Sequence, residues 1–194
     1  MTMRGARLRL AAFLAAATWL SSTLAASGSA ETMPPPVGQP APNFALTTQQ
    51  SDRLWLAQLR GRAVVLAFGC TKCGACGDLV SRLDEIARGL GDAPGRRVVF
   101  ALVTVDPLRD TPTVLREYAR AHGLRAPAWA LFTEERAGEV DVVARRYGVE
   151  IRRAGDRVEA DCTVTLIDAA GVIRSRYGLE SIAALSRDLS ALLP

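Results

Sequence analysis

Three thiols fall within seven residues, at Cys70, Cys73 and Cys76, and a fourth, Cys162, stands far along the chain. Clustered thiols exchange disulfides, hold soft metal ions or staple loops. Stapling explains such short spacings poorly, because tiny loops yield little stability when closed. Cys73-Gly-Ala-Cys76 has the two-residue spacing of a dithiol redox site. On that reading Cys73 is the attacking thiolate and Cys76 the sulfur that resolves the mixed disulfide. Gly74 and Ala75 add no charge. Lys72, the sole lysine, is either a solvated side chain or a positive charge beside the thiolate. Cys70 is either a further thiol on the strand side or a small apolar residue.

Metal binding is the second chemistry. Three thiolates suit Cu(I), a soft ion of low coordination number, and the candidate ligands are Cys73, Cys76 and Cys162. Cys162 reads equally as a buried thiol or as a partner for another cysteine. A four-cysteine zinc site would need an odd spacing, three close ligands and one remote. His122, the sole histidine, sits between Ala121 and Gly123 at a helix end, where a cation is favoured on electrostatic grounds alone.

The elements that position these residues follow from periodicity. Ala63 to Phe68 is a nearly continuous apolar run, the pattern of a strand covered on both faces. An amphipathic helix is expected from about Ala75 to Leu90, so that its unpaired N–H groups and dipole meet the thiols. Arg97 to Val105 reads as a second buried strand. Asp106, Arg109 and Asp110 read as capping and surface residues, and Thr111 as the N-cap of a helix with Pro112 at its first position. That helix ends at Gly123. Trp129 to Phe132 is a strand, followed by a helix from Glu134 to Tyr147 capped by Thr133. Ile151 to Ala160 is polar, a hairpin or loop. Thr163 to Asp168 and Val172 to Tyr177 form two strands, and Leu179 to Leu193 a last helix. Trp55 and Trp129 are assigned to the core. The order predicts an α/β, thioredoxin-like fold: a mixed central sheet with flanking helices and an N-terminal extension.

Arg4, Arg7 and Arg9, an apolar run from Leu10 to Ala26 and small residues to Ala30 have the form of a secretory signal over 1–30, with an uncleaved anchor as the alternative. The Pro-rich stretch 31–42 reads as a linker and 43–194 as the thioredoxin-like domain. The remainder is thus expected in the periplasm or on the outer face of the inner membrane, with membrane contact only through an uncleaved leader. Of 24 basic residues three lie in the leader, leaving 21 against 20 acidic ones. So near-neutral a balance carries no nucleic-acid footprint.

Several segments resemble the Sco (SenC) family of copper-handling proteins for cytochrome oxidase assembly. They are Val103-Thr-Val-Asp-Pro-Leu-Arg-Asp-Thr-Pro-Thr-Val-Leu-Arg-Glu-Tyr118, Phe68-Gly-Cys-Thr-Lys-Cys73 and Thr165-Leu-Ile-Asp168. The resemblance implies copper held by two cysteines and a histidine, thiol–disulfide exchange, or both. Its implied partner is a cytochrome oxidase subunit or another periplasmic dithiol protein, and it brings the Asp106 to Asp110 loop near the site. Two features depart from it: the cysteines are one residue closer than the family's, and no histidine stands near Ala160. By analogy of fold, Cys162 takes the place of the thioredoxin cis-proline and faces Cys73 and Cys76. Three functions are expected in turn: an exported thiol–disulfide oxidoreductase, a Cu(I) carrier without turnover, and a thiol peroxidase. The last lacks the expected Trp-Asn element.

Overall fold

The computed structural model describes residues 34–74 and 76–193. The leader and Ala75 lie outside the described residues. In chain order the elements are β1 (Ala45–Thr48), β2 (Arg53–Trp55), a 3-10 turn (Leu56–Leu59), β3 (Ala63–Gly69), α1 (Leu79–Gly89), β4 (Val98–Thr104), α2 (Pro112–Ala121), β5 (Trp129–Thr133), α3 (Ala137–Arg146), β6 (Ile151–Ala154), β7 (Arg157–Ala160), β8 (Val164–Ile167), β9 (Ile173–Tyr177) and α4 (Ala183–Leu192).

Every residue of β3 and β4 is buried, as an apolar run covered on both faces requires. These two strands and β5 run parallel, while β8 and β9 join antiparallel on one side and β1 and β2 on the other. The resulting seven-stranded sheet has the order β2-β1-β5-β4-β3-β8-β9. It is the mixed sheet with flanking helices that the alternation of elements predicts. Alternate side chains of β3 feed two cores. Val65 and Ala67 pack with Leu79 and Leu83 of α1, Leu115 of α2 and Leu185 and Leu189 of α4. Val64, Leu66 and Phe68 pack with Phe132 of β5 and with Val140, Val143 and Tyr147 from the α3 side. Truncating a fully buried leucine such as Leu83 to alanine costs about 2–5 kcal/mol. Among the described residues no helix is long and apolar enough to cross a membrane.

Helix α2 starts and stops as its sequence dictates. The Thr111 hydroxyl accepts from the Val114 N–H, Pro112 opens the first turn, and Gly123 follows the helix at φ +71°. Elsewhere the boundaries move. Helix α1 begins at Leu79, not at Ala75: residues around Gly74 and Gly77 form turns, with the Gly77 N–H donating to the Gly74 carbonyl. Two glycines disfavour an early helix start. Thr133 ends β5, paired across the sheet with Thr47, and caps nothing; its neighbour Glu134 binds Arg53 at 2.7 Å, and α3 waits until Ala137. Trp129 is buried and stacks on Phe100, but Trp55 lies half-exposed on the edge strand β2, outside the core assigned to it.

Candidate functional site: two disulfides at the end of strand β3

Strand β3 delivers the chain to Cys70 at the rim of the sheet. The Val105 N–H donates to the Gly69 carbonyl, so β4 ends beside it. From there the four cysteines form two disulfides. Cys70 is joined to Cys73 with Cα atoms 5.0 Å apart, and Cys76 to Cys162 with Cα atoms 5.6 Å apart. The partnership expected between Cys73 and Cys76 is therefore not the one present. The helix start explains the difference: Cys76 and Gly77 lie in a turn ahead of α1, Cys76 is joined to Cys162 in the loop before β8, and Cys70, rather than a spectator, is joined to Cys73. Cys162 does face the cluster, as its place before β8 implies.

An attacking thiolate needs an open sulfur, which the role read for Cys73 would require. Cys73 and Cys76 are each 6% exposed, whereas Cys70 is only half-buried. Cys73 packs with the core under α3, and Cys76 with the core under α1 and α4. The two disulfides thus belong to opposite faces of the sheet.

The β6–β7 hairpin covers both. Its two-residue turn, Gly155-Asp156, joins Ala154 to Arg157, which are directly paired. Alternation along an antiparallel pair then places the Val158 and Ala160 carbonyls away from β6. The Val158 carbonyl oxygen lies 3.4 Å from Cys73 Sγ and 3.9 Å from Cys70 Sγ. The Ala160 oxygen lies 3.4 Å from Cys76 Sγ and 3.9 Å from Cys162 Sγ. Disulfide sulfurs have no proton to give; on reduction, each carbonyl becomes an acceptor for a thiol.

Asp110 holds the Cys70–Cys73 loop from below. It is buried, accepts from the Thr71 N–H at 3.0 Å, and accepts from the hydroxyls of both Thr71 and Thr104. Asp106, also buried, binds Arg109 at 2.8 Å, and Arg109 reaches Asp156 on the hairpin turn at 3.4 Å. Arg109 is exposed as expected, but Asp106 and Asp110 are buried and are not the surface residues expected of them. The Asp-Thr-Pro helix-start signal hid the second role of Asp110, because a carboxylate beside a cap looks the same in sequence whether it faces water or a loop.

Two cavities meet at the cysteines. One, of about 650 Å³, is lined by Cys70, Lys72, Asp106, Arg109, Arg157 and Glu159 among others. Its charges are mixed, and Lys72 is exposed within it. The other, of about 250 Å³, is lined by Cys70, Cys73, Cys76, Leu102, Tyr118 and His122. His122 thus stands on a wall of the cysteine cluster as well as at the end of α2. Its Nδ1 lies 2.9 Å from the Tyr118 carbonyl, which can only accept, so Nδ1 carries a proton and Nε2 is left for another partner. Among the described residues no three His, Cys, Asp or Glu side chains are grouped to hold a metal ion. Cys73, Cys76 and Cys162 are brought together, but in disulfides a sulfur is not a thiolate ligand; they become a soft donor set only on reduction.

A sequence profile of SCO1/SenC matches residues 34–193. No curated protein sequence matches the chain. Among solved structures, copper-bound ScoI from Bradyrhizobium japonicum is similar at 23% identity and TM-score 0.68, over 80% of this chain and all of that one. Apo Sco1 from Thermus thermophilus is similar at 28% identity and TM-score 0.66, over 80% and 93%. BsSco, described as a Sco-family cytochrome c oxidase assembly protein with a disulfide switch, is similar at 20% identity and TM-score 0.69, over 81% and 95%. The profile spans well over half of the chain, and the thioredoxin-like architecture agrees with it: this chain belongs to the SCO1/SenC family.

Proposed function

We propose that this chain is an exported thiol–disulfide oxidoreductase that acts on a copper-site or other dithiol protein in cytochrome oxidase assembly. One observation carries the reading: the Cys70–Cys73 disulfide opens on a charged cavity large enough for a partner segment. Membership of the family and the disulfide switch described for BsSco support it. Disulfides at the rim of the fold suit an oxidising compartment, and the leader-like residues 1–30 suit export to the periplasm or the outer face of the inner membrane.

The exchange follows from exposure. A partner thiolate attacks Cys70 Sγ, the more open sulfur, and the Cys70–Cys73 bond breaks with its electron pair on Cys73 Sγ. Lys72, on the same cavity as Cys70, places a positive charge where the attacking thiolate arrives. A second partner thiolate then attacks the mixed disulfide and frees Cys70. The partner leaves as a disulfide; the chain holds two thiols, having gained two electrons and two protons. Run backwards, the same steps reduce a partner disulfide, with Cys70 attacking and Cys73 resolving. Cys73 keeps a reacting role, while Cys76 acts from the second disulfide.

A second reading is favoured by the convergence of three sulfurs, Cys70, Cys73 and Cys76, and His122 on one cavity, with Cys162 joined to Cys76. Once reduced, Cys73, Cys76 and Cys162 would hold Cu(I), whose softness matches theirs. In that reading the chain carries copper without turnover. Insulin reduction separates the two. The reduced full chain should reduce insulin disulfides, and Cys70→Ser and Cys73→Ala should each lose that activity. Stoichiometric Cu(I) uptake with no insulin reduction would leave the carrier, and peroxide consumption would mark a thiol peroxidase.

A further inference from the structure

We propose that the two disulfides form an internal relay, in which Cys73 passes reducing equivalents from the Cys70–Cys73 pair to the Cys76–Cys162 pair. The proposal rests on the exchange reading above and extends it from a two-electron to a four-electron centre.

Four observations converge. The inner sulfur of each pair touches the same edge of β7: Cys73 the Val158 carbonyl and Cys76 the Ala160 carbonyl, each at 3.4 Å. Those carbonyls are two residues apart on one strand, roughly 7 Å. The two inner sulfurs are therefore held on neighbouring rungs. Cys73 and Cys76 also line one cavity, with Cys70 beside them. Only Gly74 and Ala75 separate them in sequence, and a Cβ at Gly74 would meet nothing within 4 Å, so that position is open. Finally, the pairs differ in access. Each pair has one sulfur 6% exposed and one half-buried, but Cys70 lines both cavities, whereas Cys162 lines neither of them and packs against the core that holds Cys76. An outside protein meets the first pair; the second is reached from within.

The step balances without a further reagent. After a partner dithiol has reduced Cys70–Cys73, the Cys73 thiolate attacks Cys76 Sγ. A Cys73–Cys76 bond forms, the Cys76–Cys162 bond breaks, and the electron pair and a proton end on Cys162. The chain then holds one disulfide and two thiols, at Cys70 and Cys162. The two-residue spacing that marks Cys73 and Cys76 as a redox pair describes this intermediate. The Cys70 thiolate then attacks Cys73 Sγ; the Cys73–Cys76 bond breaks with its electron pair and a proton on Cys76, and the Cys70–Cys73 bond is restored. A second partner dithiol reduces that pair and leaves all four cysteines reduced, with four electrons and four protons gained in total.

Two variants of the full chain test the relay. Cys70→Ser leaves Cys73 beside an intact second disulfide, and this variant isomerises by itself. After acid quenching and alkylation, mass mapping should find label on Cys162 and a Cys73–Cys76 bond in a substantial fraction of molecules. Label confined to Cys73, with Cys76–Cys162 intact in every molecule, would overturn the relay. The double variant C70S/C73S removes the entry pair. Reduced thioredoxin should then reduce Cys76–Cys162 at least tenfold more slowly than in the wild-type chain, while urea-unfolded variant is reduced readily. An undiminished rate in the folded variant would equally overturn it. Failure of thioredoxin to reduce Cys70–Cys73 in the wild-type chain would instead count against the exchange reading, and the Cys70→Ser mapping is independent of that result.

Discussion

Asp110 is bound twice by Thr71, through its N–H at 3.0 Å and through its hydroxyl. A buried carboxylate from the loop before α2 thereby fixes the turn between Cys70 and Cys73, and a third donor, the Thr104 hydroxyl, locks the carboxylate to the end of β4. The geometry of the Cys70–Cys73 disulfide is set by the end of the sheet rather than by the helix that follows it.

Removing that anchor should loosen the turn. Asp110→Ala leaves the Thr71 and Thr104 donors unpaired, which costs about 1–3 kcal/mol for each buried group left unsatisfied. Urea unfolding should show that loss. Reduction of Cys70–Cys73 by a dithiol should change in rate, and Asp110→Asn should restore part of the stability. An Asp110→Ala chain as stable as the wild type would contradict the anchoring role.

The two disulfides should differ sharply in their effect on stability. Cys76–Cys162 closes a separation of 86 residues and Cys70–Cys73 one of 3. In the chain-entropy account those loops correspond to roughly 4–5 and roughly 2 kcal/mol. Denaturant midpoints of C76S/C162S and C70S/C73S should follow that order. The reverse order would show that the exposed pair carries structure.

Asp168 sets an acid limit. Burial opposes its charge, but the Val172 N–H, the Arg174 guanidinium and the Ala170 N–H outweigh burial and hold the carboxyl below its ordinary range. A lowered folded value means stability that is complete above the ordinary carboxyl pKa of about 4 and is lost as pH falls through the lower folded value. Asp168→Asn should flatten the stability curve in that acid window. An unchanged curve would remove Asp168 from the account.

Copper uptake should depend on the redox state. The reduced full chain should take up Cu(I), and the chain with both disulfides intact should not, because only thiolates are donors. Cys162→Ser should weaken binding tenfold or more if the three-sulfur set holds, and His122→Ala should weaken it less. Equal uptake by oxidised and reduced chains would place the copper elsewhere.

Much of this was legible in sequence. The apolar runs of β3 and β4 announced their burial, and Thr111, Pro112 and Gly123 marked α2. The segments around Asp106 and Thr165 pointed to the family. Disulfide pairing was not legible, because cysteines at 70, 73 and 76 permit two overlapping pairs of equal spacing and only the turns at Gly74 and Gly77 decide between them. The hairpin was equally hidden: Ile151 to Ala160 reads as polar surface, yet its contribution is made by backbone carbonyls at Val158 and Ala160, which no side-chain pattern records. His122 reads as a helix end and is the C-cap of α2; its place on the wall of the cysteine cavity is set by tertiary packing, which its local sequence does not record.

In the proposed exchange, Cys70 is the sulfur that an outside thiol meets. The oxidised full chain can be mixed with a thioredoxin lacking its resolving cysteine, quenched at once, and the mixed disulfide mapped by mass spectrometry. The account predicts an adduct on Cys70; an adduct on Cys76 or Cys162, or none, would contradict it.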